Sequence, residues 1–119
     1  MKIRIKPNGI RYRLTRSEVA YFETEGIVKE EVDFGDAKLI YVLQRKAQTK
    51  LSSTFRDNII TLFVPEELAV EWTSTDRVGL EHNEGHLHLL LEKDFTCLEN
   101  VAEDQSDNYP NPLATNYNG

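Results

Sequence analysis

Apolar and polar residues alternate on both sides of a turn signal at the start of the chain, which is the pattern of a β-hairpin. In MKIRIKPNGIRYRLT, Asn8-Gly9 predicts a two-residue turn because both residues tolerate positive φ. That turn would pair Lys6 with Arg11 and Ile3 with Leu14. Alternation separates the side chains into two faces. The apolar face contains Ile3, Ile5, Ile10, Tyr12 and Leu14, and the basic face contains Lys2, Arg4, Lys6, Arg11 and Arg13.

A short helix is predicted after this hairpin. Thr15 and Glu18 form a capping box, and Val19 and Phe22 have the spacing of residues that face a core. Gly26 is a helix-ending signal, so the helix covers about residues 16–25. Two strands are then predicted, at residues 27–34 and 37–44.

The same order of elements returns about 50 residues later. Strands at 51–56 and 59–64 flank Asp57-Asn58, and Pro65 has the place of a first helical residue. Leu68 and Trp72 share one helix face, and strands follow at 76–82 and 86–92. Shifting the first half by 50 residues aligns most of its positions with the second half. The helices need a shift that is one residue shorter, which aligns Val19 with Leu68. The pattern indicates an internal duplication, and a chance match of two unrelated units is the alternative.

These elements predict a mainly β fold with two short helices. The expected architecture is a small antiparallel barrel of two duplicated hairpin–helix–strand–strand halves, related by a pseudo-twofold axis. The halves cover about residues 1–45 and 51–93, within one globular domain at 1–98. Residues 99–119 contain four acidic and no basic residues and show no periodicity, so they predict an irregular acidic tail.

The second half resembles the swapped-hairpin domains of the AbrB and MazE kind. The resemblance lies in a strand ending in Pro65, the acid-leucine helix start Glu66-Glu67-Leu68, the strand start Asp76-Arg77-Val78, the turn at Gly85 and the apolar strand that follows. The first half resembles a more divergent copy of the same motif, with Asn8-Gly9-Ile10 at its turn. The whole chain also resembles a family of uncharacterised bacterial proteins.

The AbrB/MazE resemblance implies interlocked hairpins and DNA contacts made by basic hairpin residues. It would assign those contacts to Lys6, Arg11 and Arg13. The matching positions of the second half are Arg56, Thr61 and Phe63, so only one arm is basic.

Charge is distributed unevenly along the chain. The net charge is −6, yet the first 16 residues contain six basic and no acidic residues. The acidic remainder disfavours a protein that coats nucleic acid over its whole surface, and a local basic patch is compatible with it. A single cysteine, Cys97, fits a reducing compartment. With no signal-peptide pattern and no long apolar run, we expect a cytoplasmic protein that does not enter membranes.

The basic face is the first candidate site. Lys and Arg neutralise phosphate or carboxylate groups, so Lys2, Arg4, Lys6, Arg11 and Arg13 could hold an anionic partner such as nucleic acid or an acidic protein. Internal pairing with acids such as Glu31 and Asp33 is the alternative.

The second candidate consists of His82, His86 and His88 around a predicted turn. Histidine is a common zinc ligand, and His86 and His88 would share a strand face, so these residues could bind zinc. Three solvent-exposed histidines are the alternative reading.

The tail is the third candidate. Glu103, Asp104, Asp107 and Tyr109 could cover a basic protein, as the tail of an antitoxin-like regulator would. No nucleophile, metal or phosphate-loop motif of an enzyme is present in the sequence. We therefore expect a non-catalytic binding module with no required cofactor, and keep the antitoxin-like regulator and the zinc protein as alternatives.

Overall fold

The computed structural model describes residues 1–95 and 106–110. This part of the chain is mainly β with two helices, as the sequence predicts. The elements are β1 (Lys2–Lys6), β2 (Gly9–Leu14), α1 (Arg16–Glu25), β3 (Ile27–Asp33), β4 (Lys38–Lys46), β5 (Ser52–Arg56), β6 (Ile59–Pro65), α2 (Glu66–Ser74), β7 (Gly79–Glu84) and β8 (Leu87–Lys93).

The strands form two four-stranded sheets. Sheet A has the order β1-β2-β8-β7, and sheet B has the order β3-β4-β6-β5. In each sheet the two central strands are parallel and come from different halves of the chain, and each edge strand is antiparallel to its neighbour. The predicted closed antiparallel barrel is therefore wrong.

Side chains join the sheets where a closed barrel would have backbone pairing. The Ser53 amide donates to Glu84 Oε2 at 3.0 Å, which links β5 to β7. At the opposite corner, the Tyr41 hydroxyl donates to the carbonyl oxygen of Met1 at 3.1 Å. A barrel needs a continuous ladder between edge strands, and none of the ladders among residues 1–95 and 106–110 connects sheet A to sheet B.

Each half contributes a hairpin, a helix and a second hairpin, and each sheet contains one hairpin from each half. The buried helix residues are Val19 and Phe22 in α1, and Ala69 and Trp72 in α2. Both pairs match at an offset of 50, so the predicted slip that put Val19 on Leu68 is wrong. Origin of the halves by duplication stays a prediction.

The first hairpin has a different register from the predicted one. Lys6 pairs with Gly9 and Arg4 with Arg11, so the two loop residues are Pro7 and Asn8. Proline restricts its own φ to about −65°, and Asn8 has a φ of 57°, a combination that fits a type II turn. Relative to the predicted register, each residue of β1 pairs with a β2 residue two positions earlier. Because side chains alternate with a period of two, this shift leaves each of them on its predicted apolar or basic face.

The predicted turn of the second hairpin is confirmed. Asp57 and Asn58 have φ values of 51° and 64°, the two positive values that a type I′ turn requires. Gly26 ends α1 with a φ of 75°, as the sequence predicts. In α2, Pro65 is the N-cap rather than the first helical residue.

The core lies where the inner faces of both sheets meet the two helices. Phe22 of α1 and Trp72 of α2 are fully buried and pack edge to face, with ring centroids 6.3 Å apart. Tyr12, Leu62 and Leu89 bring strands of both sheets into the same cluster. Burial of each such side chain contributes about 1.5–3 kcal/mol, so this cluster holds the two sheets together. None of the described helices is long and apolar enough to cross a membrane.

Candidate anion-binding groove

The outer face of sheet A, opposite the core, carries all five residues of the predicted basic face. Because β2 pairs with β8, and β8 with β7, each pair of positions on the β1–β2 hairpin continues as a row of side chains across the sheet. The three rows, from β1 to β7, are Lys6, Gly9, His88, Asn83; Arg4, Arg11, Leu90, Glu81; and Lys2, Arg13, Glu92, Gly79.

Carboxylates of the same region pair with part of the basic face. Glu92 Oε1 lies 3.5 Å from the Nε atoms of both Arg11 and Arg13. Lys2 Nζ lies 3.3 Å from Asp94 Oδ2. Three of the five cations therefore have acidic partners supplied by the end of β8.

The acids named from the sequence have other roles. Glu31 lies 3.5 Å from Lys38 Nζ in sheet B. Asp33 accepts a hydrogen bond from the Gly35 amide at 2.8 Å. The prediction that the basic face might pair with Glu31 and Asp33 is thus wrong about the partners, because the parallel pairing of β2 with β8 brings Glu92 closer.

Arg4 and Lys6 differ from the other three cations. Both side chains are exposed, and within the described ranges 1–95 and 106–110 no carboxylate lies within 4.0 Å of either one. Arg4 also stands directly opposite Arg11 in the register. Like charges in that position repel, so this end of the face has positive charge that an anion would relieve.

A groove of about 200 Å³ lies at this end of the face. Its lining combines cationic groups with an apolar surface and is formed by Arg4, Lys6, Gly9, Ile10, Arg11, His88 and Leu90. Gly9 lets the Lys6 side chain lie across β2, since a Cβ atom there would lie 2.8 Å from Lys6 Cε. A second depression of about 210 Å³ adjoins it and shares Arg4 and Arg11.

The three histidines do not come together. His82 pairs with Leu89 on the inner face of sheet A, His88 pairs with Asn83 on the outer face, and His86 lies in the turn after β7. No cluster of three or more metal-ligating side chains occurs among the residues that the structure describes. Zinc binding stays a prediction, and these positions do not assemble a ligand set for it.

His88 instead belongs to the groove. Its Nδ1 lies 2.7 Å from Asn83 Oδ1, and its Nε2 lies 3.3 Å from Glu81 Oε2. The Asn83 oxygen would accept a hydrogen bond from a proton on Nδ1, and a proton on Nε2 would face the Glu81 carboxylate. The ring is therefore held where it can add charge to the groove.

The described part of the tail packs against the body. Asp107 Oδ2 accepts a hydrogen bond from the Ser17 hydroxyl at 2.6 Å, and this bond lowers the pKa of the Asp107 carboxyl. The Tyr109 amide donates to the Asp94 carbonyl at 2.8 Å, and the Tyr109 ring packs on Phe95. Glu103, Asp104, Cys97 and the predicted domain boundary at residue 98 lie outside the described residues.

Several groove residues were not identified from the sequence. The sequence pattern predicts a turn residue at Gly9 and an ordinary strand residue at Leu90. It likewise gives no sign that Glu92, which lies outside the groove lining, pairs with two of the cations. The alternation of His88, Leu90 and Glu92 on one face of β8 was the available signal. Its meaning depends on the pairing of β2 with β8, which joins residues about 80 positions apart.

Comparison with known proteins identifies a family. The model of a family of unknown function, DUF7009, matches residues 1–113. No curated protein and no solved structure matches the chain. These comparisons agree with the predicted membership of an uncharacterised family, and the resemblance to AbrB and MazE stays a prediction.

Proposed function

The chain belongs to the family of unknown function DUF7009, and we propose that it is a non-catalytic module that binds an anionic partner on the basic face. The proposal rests on the position and the ion pairing of Arg4 and Lys6. They line an open groove and, in the part of the chain that the structure describes, have no carboxylate partner. An anion in the groove would replace the repulsion between Arg4 and Arg11 with attraction.

The partner is a nucleic acid or an acidic protein. Both carry closely spaced negative groups, and a local basic patch on an acidic body attracts such groups to one face. In this proposal the halves derive from duplication of an AbrB- or MazE-like unit, and only the first hairpin retains the basic residues. The matching order of elements in the two halves supports that origin.

Paired charge-removal variants test the proposal. Arg4→Gln with Lys6→Gln removes two charges from the groove, and Lys29→Gln with Arg56→Gln removes the same charge from exposed positions of sheet B. Fluorescence anisotropy over a salt series would measure binding of a labelled DNA oligonucleotide and of polyglutamate. We expect the groove variant to bind about tenfold more weakly or worse, because charge-assisted hydrogen bonds are lost.

The sheet B variant separates a site from a general charge effect. It should keep nearly all of its affinity and salt dependence. Equal weakening of binding by both variants would mean that net charge, and no particular face, attracts the probe. Binding of polyglutamate in preference to DNA would identify the partner as an acidic protein.

A further inference from the structure

The two depressions on the basic face follow the β1–β2 ribbon. They lie side by side and share Arg4 and Arg11. Successive residues on one strand face are about 6.6 Å apart, so the cation rows form a ladder along the ribbon. A cationic sheet face with two adjoining depressions suits the backbone of an extended single strand.

The two depressions differ in net charge. Beside the second depression, the single charge of Glu92 offsets part of the positive charge of Arg11 and Arg13, and Asp94 pairs with Lys2. The groove is lined by the paired Arg11 and also by Arg4 and Lys6, which have no carboxylate partner within residues 1–95 and 106–110. The groove is therefore the stronger phosphate position, and the apolar atoms of Leu90 beside it suit a sugar or base edge.

Only one sheet carries this arrangement. In sheet B the register positions that correspond to Lys6, Arg4, Arg11 and Arg13 are Arg56, Thr54, Thr61 and Phe63, so one of these four positions is basic. A protein that reads a palindromic duplex presents two equivalent arms. A single basic face favours a ligand without twofold symmetry, which a single strand provides.

Histidine is the residue type whose side chain can change charge near neutral pH, and His88 is the histidine among the groove-lining residues. Glu81 and Asn83 of β7 contact its ring. Its other neighbours on the sheet are Gly9 and Arg11 of β2, Lys6 and Arg4 of β1, and Glu92 on its own strand. A phosphate in the groove would place a second negative group beside this ring, in addition to the Glu81 carboxylate, and would thus favour a positively charged ring.

We infer that the groove holds a phosphodiester group of single-stranded nucleic acid, and that His88 binds a proton as the phosphate enters. This inference rests on the proposed anion-binding function and specifies its ligand. The protonated form of His88 is the one that attracts the phosphate. Affinity is therefore higher at low pH and decreases as the pH rises through the range in which histidine titrates.

Oligothymidylate is a suitable probe because neither its backbone nor its base titrates in this range. Its affinity would be measured by fluorescence anisotropy at about pH 6 and about pH 8 and constant ionic strength, within the titration range of histidine. We expect binding about two- to fivefold tighter at the lower pH, the effect of one exposed charge. Calorimetry in two buffers of different ionisation enthalpy should detect proton uptake on binding.

The chain supplies matched controls for His88→Gln. His86→Gln changes an exposed turn residue, and His82→Gln changes the opposite face of the same sheet. We expect His88→Gln to bind with little pH dependence and the two controls to retain the wild-type profile. The same pH dependence in His88→Gln and in wild type would overturn the role of His88.

Other outcomes separate this inference from the function on which it rests. If oligothymidylate binds equally at both pH values, the anion-binding function stands and the inference fails. Preference for polyglutamate over oligothymidylate likewise overturns the phosphate ligand and leaves an anion-binding face. If neither probe binds at either pH, the proposed function fails as well.

Discussion

The outer faces of the two sheets share one backbone plan and differ sharply in surface. In sheet A, the central parallel strands pair Gly9 with His88 on this face. In sheet B, the corresponding pair is Ile59 with Ile40. The pair that consists of a glycine and a histidine in sheet A thus consists of two branched apolar residues in sheet B.

The next rows continue this difference. Arg11 beside Leu90 in sheet A corresponds to Thr61 beside Val42 in sheet B, where both residues are less than 9% exposed. The basic face of sheet A thus has cationic side chains beside a groove, whereas the central residues of the outer face of sheet B are buried. Identical strand order therefore does not give the faces identical chemistry, and one glycine and two unpaired cations are enough to make a candidate site.

The largest effect on stability is expected when an apolar side chain is removed from the outer face of sheet B. Ile59→Gly removes a half-buried side chain from β6 and adds glycine to a strand interior. We expect the free energy of unfolding to decrease by about 2 kcal/mol. Chemical denaturation measures it, and the variant should gain no affinity for oligothymidylate, because Arg56 is the one basic residue at the sheet B positions that match Lys6, Arg4, Arg11 and Arg13. New binding at sheet B would contradict the comparison.

The reverse change closes the groove. Gly9→Ile places a Cβ atom against Lys6 Cε, a flexible side chain that can move into the groove. Gly9 does not have a positive φ, so stability should change little, while oligothymidylate affinity should decrease about tenfold. Anisotropy measures the affinity, and a denaturation midpoint shows that the fold is retained. Unchanged affinity in a folded variant would show that the groove is not the site.

The sequence predicted features that depend on local pattern. Alternation identified both faces of the first hairpin, and it did so although Pro7-Asn8, and not Asn8-Gly9, forms the turn. Asp57-Asn58 and Gly26 were recognised because their backbone requirements are local. Features that depend on distant pairing were not recovered: the open pair of sheets, and Glu92 as the partner of Arg11, require β2 to lie beside β8.

An intermediate effect is expected from freeing two paired cations. Glu92→Gln removes the carboxylate that lies 3.5 Å from Arg11 and Arg13. We expect oligothymidylate to bind about three- to fivefold more tightly, as the loss of one partly buried negative charge beside two cations implies. Glu31→Gln, which removes the partner of Lys38 on sheet B, is the matched control and should not change the affinity. Equal gains in both variants would indicate a net-charge effect.

The smallest effect concerns stability within the basic face. Arg11→Thr, which introduces the residue type of Thr61, breaks a half-exposed ion pair with Glu92 and should lower the unfolding free energy by about 0.5 kcal/mol. Arg4→Thr relieves repulsion and should leave stability unchanged or raise it by a few tenths of a kcal/mol. Denaturation midpoints compare the two. A larger loss for Arg4→Thr would reveal an unrecognised partner.

The most direct test is to map oligothymidylate on the protein by NMR. Backbone amide shifts followed through a titration report which face the ligand contacts. We predict the largest shifts at Arg4, Lys6, Gly9 and His88, with Ile40, Thr54, Arg56 and Ile59 nearly unchanged. Shifts centred on sheet B, or spread equally over both faces, would contradict the conclusion that the open, cationic groove of sheet A is the binding site.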